Sequence, residues 1–134
     1  MYKHILIPVA PGHLDEYEPA LALANRLLGT EGKVTMLSVI EDLPVHVGAY
    51  VPPGIMEGHI ETVSKELDES FGKRGVERHV MIGHPTNTIL HWADNNEVDC
   101  IVVTSHRPGF TDLLLGSTAS RLVRHATCPV MVLR

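Results

Sequence analysis

Residues that could bind an anion lie together in the last third of the chain. The stretch 104–117 follows an apolar run at 100–103, which is typical of a buried strand. It precedes residues 118–126, whose pattern predicts a helix. A loop from the carboxyl end of a strand to the amino end of a helix is where open parallel sheets bind ligands.

The residue types within this loop suit a phosphate. Gly116 lets the backbone approach a ligand closely, and Ser117 or Thr118 can cap the following helix. The free N–H groups of the first helical turn would then face the anion. Arg107 adds a guanidinium fork that matches phosphate oxygens. An ordinary strand-to-helix loop with an N-cap serine would carry the same residues, so that alternative stays open.

The rest of the chain alternates strands with helices that could position this loop. The patterns predict strands at 3–9, 33–40, 76–82, 99–104 and 128–133, and helices at 15–28, at 55–71, from Pro85 and after Ser117. Gly29 and Gly32 are expected to close the first helix. Such alternation indicates a single α/β domain over residues 1–134, with a parallel five-stranded sheet and helices on both faces. The long loop at 41–54 is expected to be functional or mobile.

Composition narrows the classes of function. The chain has 134 residues and a formal charge of −5, without a basic patch, which argues against nucleic acid or an anionic membrane surface as partner. No apolar run is long enough to span a bilayer, and the amino end leads straight into a strand, so no signal peptide is expected. Cys100 and Cys128 lack C-x-x-C spacing and are expected to be free thiols. The sequence therefore predicts a cytoplasmic protein.

Metal and catalytic sites have little support in the sequence. The nine histidines show no ligand spacing, so no metal site is predicted. The chain has neither a G-x-S-x-G elbow nor a P-loop lysine. Ser105 and His106 are adjacent on a loop, where their side chains diverge, and we do not interpret them as a nucleophile and its base. No catalytic residue is assigned, although slow turnover of a bound phosphate ligand stays open.

Several segments together resemble the universal stress protein family over the whole chain. They are residues 5–9, 37–39, 83–85 and 99–103, the loop end Leu114-Leu115-Gly116-Ser117, and residues 124–132. The Ser-His-Arg-Pro version of the loop is similar to a short-loop branch of that family. The resemblance implies three layers, strand order 3-2-1-4-5, and a nucleotide bound at the switch between strands 1 and 4. It also implies a homodimer paired antiparallel through Val130, Met131, Val132 and Leu133.

The same resemblance implies roles for individual residues. Pro8, Val9 and Ala10 would form the floor under adenosine. Val39 would meet the adenine edge through its backbone, although an ordinary core residue of the second strand would have the same sequence, so that alternative stays open. The residues expected around the phosphates are Thr104, Ser105, His106, Arg107, Gly116, Ser117 and Thr118. The ligand would be ATP or AMP, with or without Mg²⁺.

Three departures from the family pattern leave two functions open. Nucleotide-binding members of the family carry Gly-x2-Gly-x9-Gly-Ser/Thr in this loop, and an aspartate that holds the ribose two residues past the proline of strand 1. Here Thr104 and Arg107 replace the first two glycines, and Ala10 replaces the aspartate. Alanine offers no side-chain acceptor, unless Asp15 or Glu16 reaches in instead. One reading is a dimeric stress-response sensor regulated by an adenine nucleotide and acting on an unknown protein partner. The alternative is an interaction module that needs no nucleotide.

Arg107 provides a direct test of the phosphate role. Hydrogen bonds to charged groups contribute about 1.5–3 kcal/mol, so Arg107→Ala should weaken ATP binding about tenfold or more. Adenosine should lose less, because it has no phosphate. Titration calorimetry with both ligands measures the difference. Equal losses, or no loss, would show that Arg107 is merely solvated.

Overall fold

Five parallel strands form one sheet in the order 3-2-1-4-5, which confirms the predicted fold class. The computed structural model describes residues 1–42, 52–105 and 116–134. The elements in chain order are β1 (Tyr2–Pro8), α1 (Glu18–Leu27), β2 (Leu28–Glu41), α2 (Ile55–Phe71), β3 (Glu77–Gly83), α3 (Pro85–Asn95), β4 (Cys100–Thr104), α4 (Ser117–His125) and β5 (Val130–Leu133). A 3-10 turn at Leu14–Tyr17 precedes α1. Most of the predicted loop at 41–54 lies outside the described residues.

Two apolar layers cover the two faces of the sheet. Successive side chains of a strand point to opposite faces, and β1 is buried on both. Ile5 and Ile7 join one cluster with residues of α1 and α2, whereas Leu6 joins another with residues of α3 and α4. This explains why β1 reads as a continuous apolar run, as central parallel strands do. Among the described residues, no helix is long and apolar enough to cross a membrane.

The first helix ends differently from the prediction. α1 ends at Leu27 and β2 begins at the next residue, so Gly29 and Gly32 lie in the strand rather than after the helix. Tyr2 pairs with Leu28 but His4 pairs with Lys33, which leaves an irregular bulge in β2. A Cβ atom on Gly29 would lie 2.5 Å from the backbone nitrogen of Met1. The glycine therefore allows the chain's first residues to approach β2 closely.

Polar groups are paired at the amino end of β1, opposite the end that carries the predicted site. The Asp99 carboxylate accepts the backbone N–H groups of Lys3 at 2.9 Å and His4 at 3.0 Å. The buried His4 ring lies with Nδ1 2.8 Å from the Asn96 carbonyl and Nε2 2.8 Å from the Thr35 hydroxyl. A carbonyl can only accept, so Nδ1 carries a proton. These bonds fix the start of β1 against β2 and the segment that precedes β4.

The Asp99 carboxyl should make stability depend on pH. Burial alone raises its pKa, but the N–H groups of Lys3 and His4 outweigh burial and hold the pKa below the ordinary value of 3.8. A lowered pKa stabilises the fold above the unfolded value, and this contribution is lost as the pH falls through the folded value. Asp99→Asn should therefore cost about 1 kcal/mol at pH 7, after allowance for solvent screening, and much less below the folded pKa.

Urea unfolding of the parent and Asp99→Asn at neutral and acid pH measures this dependence. Asp15→Asn is the matched control, because Asp15 is exposed and its carboxylate has no hydrogen-bond partner among the described residues. A stability difference for Asp99→Asn that stays constant with pH would contradict the prediction.

Candidate functional site

A cavity of about 370 Å³ opens at the carboxyl end of the sheet, around the end of β1 between β2 and β4. Its size falls within the range of small-molecule sites. The strand order reverses at β1, and ligands bind to open α/β sheets at such a switch point. The described residues that line the cavity are Pro8, Val9, Ala10, Pro11, His13, Glu16, Tyr17, Leu37, Val39, Pro85, Ile89, Val103, Thr104, Ser105, Gly116, Thr118, Ala119 and Leu122.

Most residues predicted from the sequence are brought together here. The predicted residues that line the cavity are Pro8, Val9, Ala10, Val39, Thr104, Ser105, Gly116 and Thr118. Ser117 is exposed and is not among the lining residues, although it is the first residue of α4. His106 and Arg107 lie outside the described residues. Contact of any of these residues with a ligand stays a prediction.

The amino end of α4 borders the cavity without a hydroxyl cap. Its N-cap is Gly116, with φ −61° and ψ 158°, and no side chain among the described residues caps the helix. The expectation that Ser117 or Thr118 caps α4 is wrong, because both residues already lie within the first turn. The Ser120 N–H donates to the Gly116 carbonyl over 2.9 Å, so the N–H groups of Ser117, Thr118 and Ala119 precede the first intrahelical bond. With the helix dipole, these groups favour an anion.

The backbone of Val39 borders the opposite part of the cavity. β1 ends at Pro8, and the Val9 N–H donates to the Leu37 carbonyl over 2.9 Å. Alternate residues of a parallel strand direct their backbone groups to the same neighbouring strand. Val39, two residues after Leu37, therefore directs its N–H and C=O past the end of β1. These groups can bind a planar ligand edge that has one donor and one acceptor.

The turn after β1 supplies polar groups in addition to those at the two ends of the loop between β4 and α4. Glu16 and Tyr17 line the cavity, and the Tyr17 hydroxyl accepts the Ala10 N–H over 2.8 Å. Of the two carboxylates considered from the sequence, Glu16 lines the cavity and Asp15 does not. Sequence reasoning missed Tyr17, because a tyrosine near a helix start carries no distinctive pattern. The 3-10 turn at Leu14–Tyr17 decides which side chains of this segment turn inward.

Ser105 has a structural partner at the rim of the cavity. Its N–H donates to the Leu133 carbonyl over 2.9 Å, and its hydroxyl donates to the same oxygen over 3.2 Å. The end of β4 is thereby attached to the end of β5. A hydroxyl that donates to a carbonyl lacks the hydrogen bond to a base that activates a nucleophile.

Cysteine and metal chemistry find no support within the described parts of the chain. Both cysteines are free thiols. Burial raises the pKa of Cys100 to about 11, and Cys128 and Asp99 add to the effect, so this thiol is neutral near pH 7. Among residues 1–42, 52–105 and 116–134, no group of three or more His, Cys, Asp or Glu side chains could hold a metal ion.

Comparison with known proteins gives the family. The model of the universal stress protein family matches residues 1–134. This chain belongs to the universal stress protein family. Over its full length it is 34% identical to a universal stress protein of Methanocaldococcus jannaschii, covering 83% of that protein. It is also 28% identical to universal stress protein G of Salmonella typhimurium, with both chains covered completely.

Solved structures of other universal stress proteins share the fold. The protein UspA from Lactobacillus plantarum aligns with a TM-score of 0.70 at 25% identity, covering 99% of this chain and 98% of that one. A universal stress protein from Archaeoglobus fulgidus, solved in complex with dAMP, aligns with a TM-score of 0.62 at 21% identity, covering 99% and 98%. One from Arabidopsis thaliana, with AMP bound, aligns with a TM-score of 0.62 at 16% identity, covering 98% and 90%.

Proposed function

We propose that this universal stress protein binds an adenine nucleotide, ATP or AMP, in the cavity at the end of β1. The observation that carries the proposal is the pairing of two backbone sites across one cavity. The first turn of α4 presents N–H groups suited to phosphate, and Val39 presents a donor and an acceptor suited to the adenine edge. Related proteins of the same fold bind AMP and dAMP, which supports the choice of ligand.

We assign the residues at the end of β1 to adenosine and the residues around the start of α4 to the phosphates. Pro8, Val9 and Ala10 contact the adenosine, and Thr104, Ser105, Gly116 and Thr118 surround the phosphates together with Ser117, His106 and Arg107. The apolar floor excludes water from the base, which strengthens its hydrogen bonds to the backbone. Where a nucleoside triphosphate binds, Mg²⁺ can offset the phosphate charge. The proposed role is regulatory: bound nucleotide sets the state of a cytoplasmic stress-response sensor.

A second candidate function is that of an interaction module with the same fold that binds no nucleotide. Ala10 offers no side-chain acceptor at the cavity, which favours a module that acts through its surface on a protein partner. The two functions differ in whether the purified protein retains or binds nucleotide. The paired backbone sites across the cavity lead us to prefer nucleotide binding.

Heat denaturation of purified protein, followed by chromatography of the released small molecules, tests the proposal. We expect ATP or AMP to be released, or titration calorimetry to show binding of one of them to the emptied protein. Ala10→Phe should abolish this binding, because Ala10 is exposed and its new ring would fill the cavity without disturbing the core.

Ala22→Phe is the matched control, since Ala22 is exposed on α1 and does not line the cavity. It should bind nucleotide as the parent does. Failure of the parent protein to retain or bind any adenine nucleotide would reject this proposal in favour of the interaction module.

We also propose that two copies pair antiparallel along β5. This strand is an edge of the sheet, and Met131 on it is 42% exposed, whereas Val130, Val132 and Leu133 are half-buried. An apolar edge strand is usually covered, and an isologous contact with a second copy would cover it with closed two-fold symmetry.

Sedimentation at micromolar concentration should show a dimer, and Met131→Glu should shift it to monomer by placing like charges near the two-fold axis. Met81→Glu is the matched control, because Met81 is 38% exposed on β3, the other edge strand. A parent protein that sediments as a stable monomer would contradict the proposed pairing.

A further inference from the structure

The cavity has two chemically different sides. The first turn of α4 offers N–H donors, whereas the turn after β1 offers a carboxylate and a phenol hydroxyl, from Glu16 and Tyr17. A carboxylate repels phosphate, so the α4 side and the Glu16 side cannot bind the same ligand group. The ligand that fits both sides carries an anion at one end and hydroxyl donors elsewhere.

The Tyr17 hydroxyl has a proton that it can donate to a ligand. A backbone N–H can only donate, so in the 2.8 Å contact with the Ala10 nitrogen the Tyr17 oxygen is the acceptor. The hydroxyl proton is not used in this bond, and no other described residue accepts it. Tyr17 is also half-buried, which limits its access to bulk water. It can therefore donate one hydrogen bond to a ligand oxygen in the cavity.

The Glu16 carboxylate complements this donor. Its side chain is 43% exposed, and a carboxylate oxygen lies 4.0 Å from Nδ1 of His13, whose side chain is 77% exposed. Because this contact is long and open to water, it leaves the carboxylate free to accept hydrogen bonds. A vicinal diol, which both donates and accepts, fits a carboxylate beside a hydroxyl donor.

The turn that carries both groups is held in place by a contact with α2. The Gly12 N–H donates to the Glu66 carboxylate over 2.8 Å, and Gly12 has a φ of +96°, in the region that favours glycine. The Glu16 N–H donates to the His13 carbonyl over 3.1 Å, which closes the 3-10 turn. The ligand therefore meets Glu16 and Tyr17 on a segment that is already ordered, which lowers the entropic cost of binding.

We infer that Glu16 and Tyr17 recognise the ribose hydroxyls of the bound nucleotide, in place of a carboxylate at position 10. This inference rests on the proposed function, and it names the residues that select ribonucleotides. Glu16 accepts from a ribose hydroxyl, and Tyr17 donates to a ribose oxygen. The Ala10 N–H donates to the Tyr17 oxygen, which leaves the hydroxyl proton for the ligand.

Paired titrations with AMP and 2′,3′-dideoxy-AMP test the inference. Both ligands carry the same base and phosphate, so the ratio of their affinities isolates the hydroxyls and cancels any repulsion between Glu16 and phosphate. The parent protein should prefer AMP. Glu16→Gln and Tyr17→Phe should each lower the ratio of AMP affinity to dideoxy-AMP affinity about tenfold, so that the preference collapses.

Asp15→Asn is the matched control for Glu16→Gln, because Asp15 is the adjacent carboxylate and does not line the cavity. It should leave both affinities unchanged. A merely structural role of Glu16 or Tyr17 would weaken both ligands equally, and that result, or unchanged AMP binding in both variants, would overturn the inference. A parent protein that binds AMP and dideoxy-AMP equally would overturn the inference while the proposed function stands. A parent protein that binds neither ligand would overturn both.

Discussion

The position of β1 in the middle of the sheet is the constraint on which the rest of the molecule depends. β2 lies on one side of β1 and β4 on the other, and β1 ends at Pro8 while β2 runs on to Glu41. Proline has no N–H and cannot continue the ladder as a donor. The neighbouring strands are therefore left apart beyond this point, and the cavity lies in the space between them. The residues that line the cavity lie at the ends of β1, β2 and β4, in α3 and α4, and in the turn after β1.

The two ends of β1 differ in their contacts. Paired polar groups at the amino end stabilise the fold, whereas the carboxyl end borders the cavity. At the amino end, the backbone N–H groups of Lys3 and His4 are satisfied by Asp99, and the buried His4 ring has a partner at each nitrogen. Buried polar groups with partners on both sides hold a single register of the strands. At the carboxyl end, by contrast, the backbone groups of Val39 are directed past the end of β1, and the first turn of α4 borders the cavity.

The cavity has an apolar floor that belongs to the core and polar groups at its sides. Its floor belongs to the apolar layers that hold the helices on the sheet, so the shape of the floor is set by the core. Its polar groups come from the start of α4 and from the turn after β1, which Glu66 of α2 holds through Gly12. Donors on one side and a carboxylate on the other give a ligand one preferred orientation. Specificity can thus change by substitution in the turn without disturbing the sheet.

The sequence by itself determined the fold class, the strand order through its family resemblance, and eight of the residues that line the cavity. The fold class followed because apolar periodicity and the glycine and proline positions act over short distances along the chain, whereas the strand order followed from the family resemblance. Tertiary structure decided the rest. Gly29 and Gly32 have the sequence pattern of helix terminators, but they lie in β2, where Gly29 allows the close approach of Met1. Ser117 and Thr118 have the pattern of a hydroxyl cap, but α4 begins directly after Gly116 and includes both of them. The sequence pattern does not show that Glu16 and Tyr17 line the cavity whereas Asp15 does not. The direction of a side chain in this 3-10 turn depends on packing against α2 and β1 rather than on neighbours in sequence.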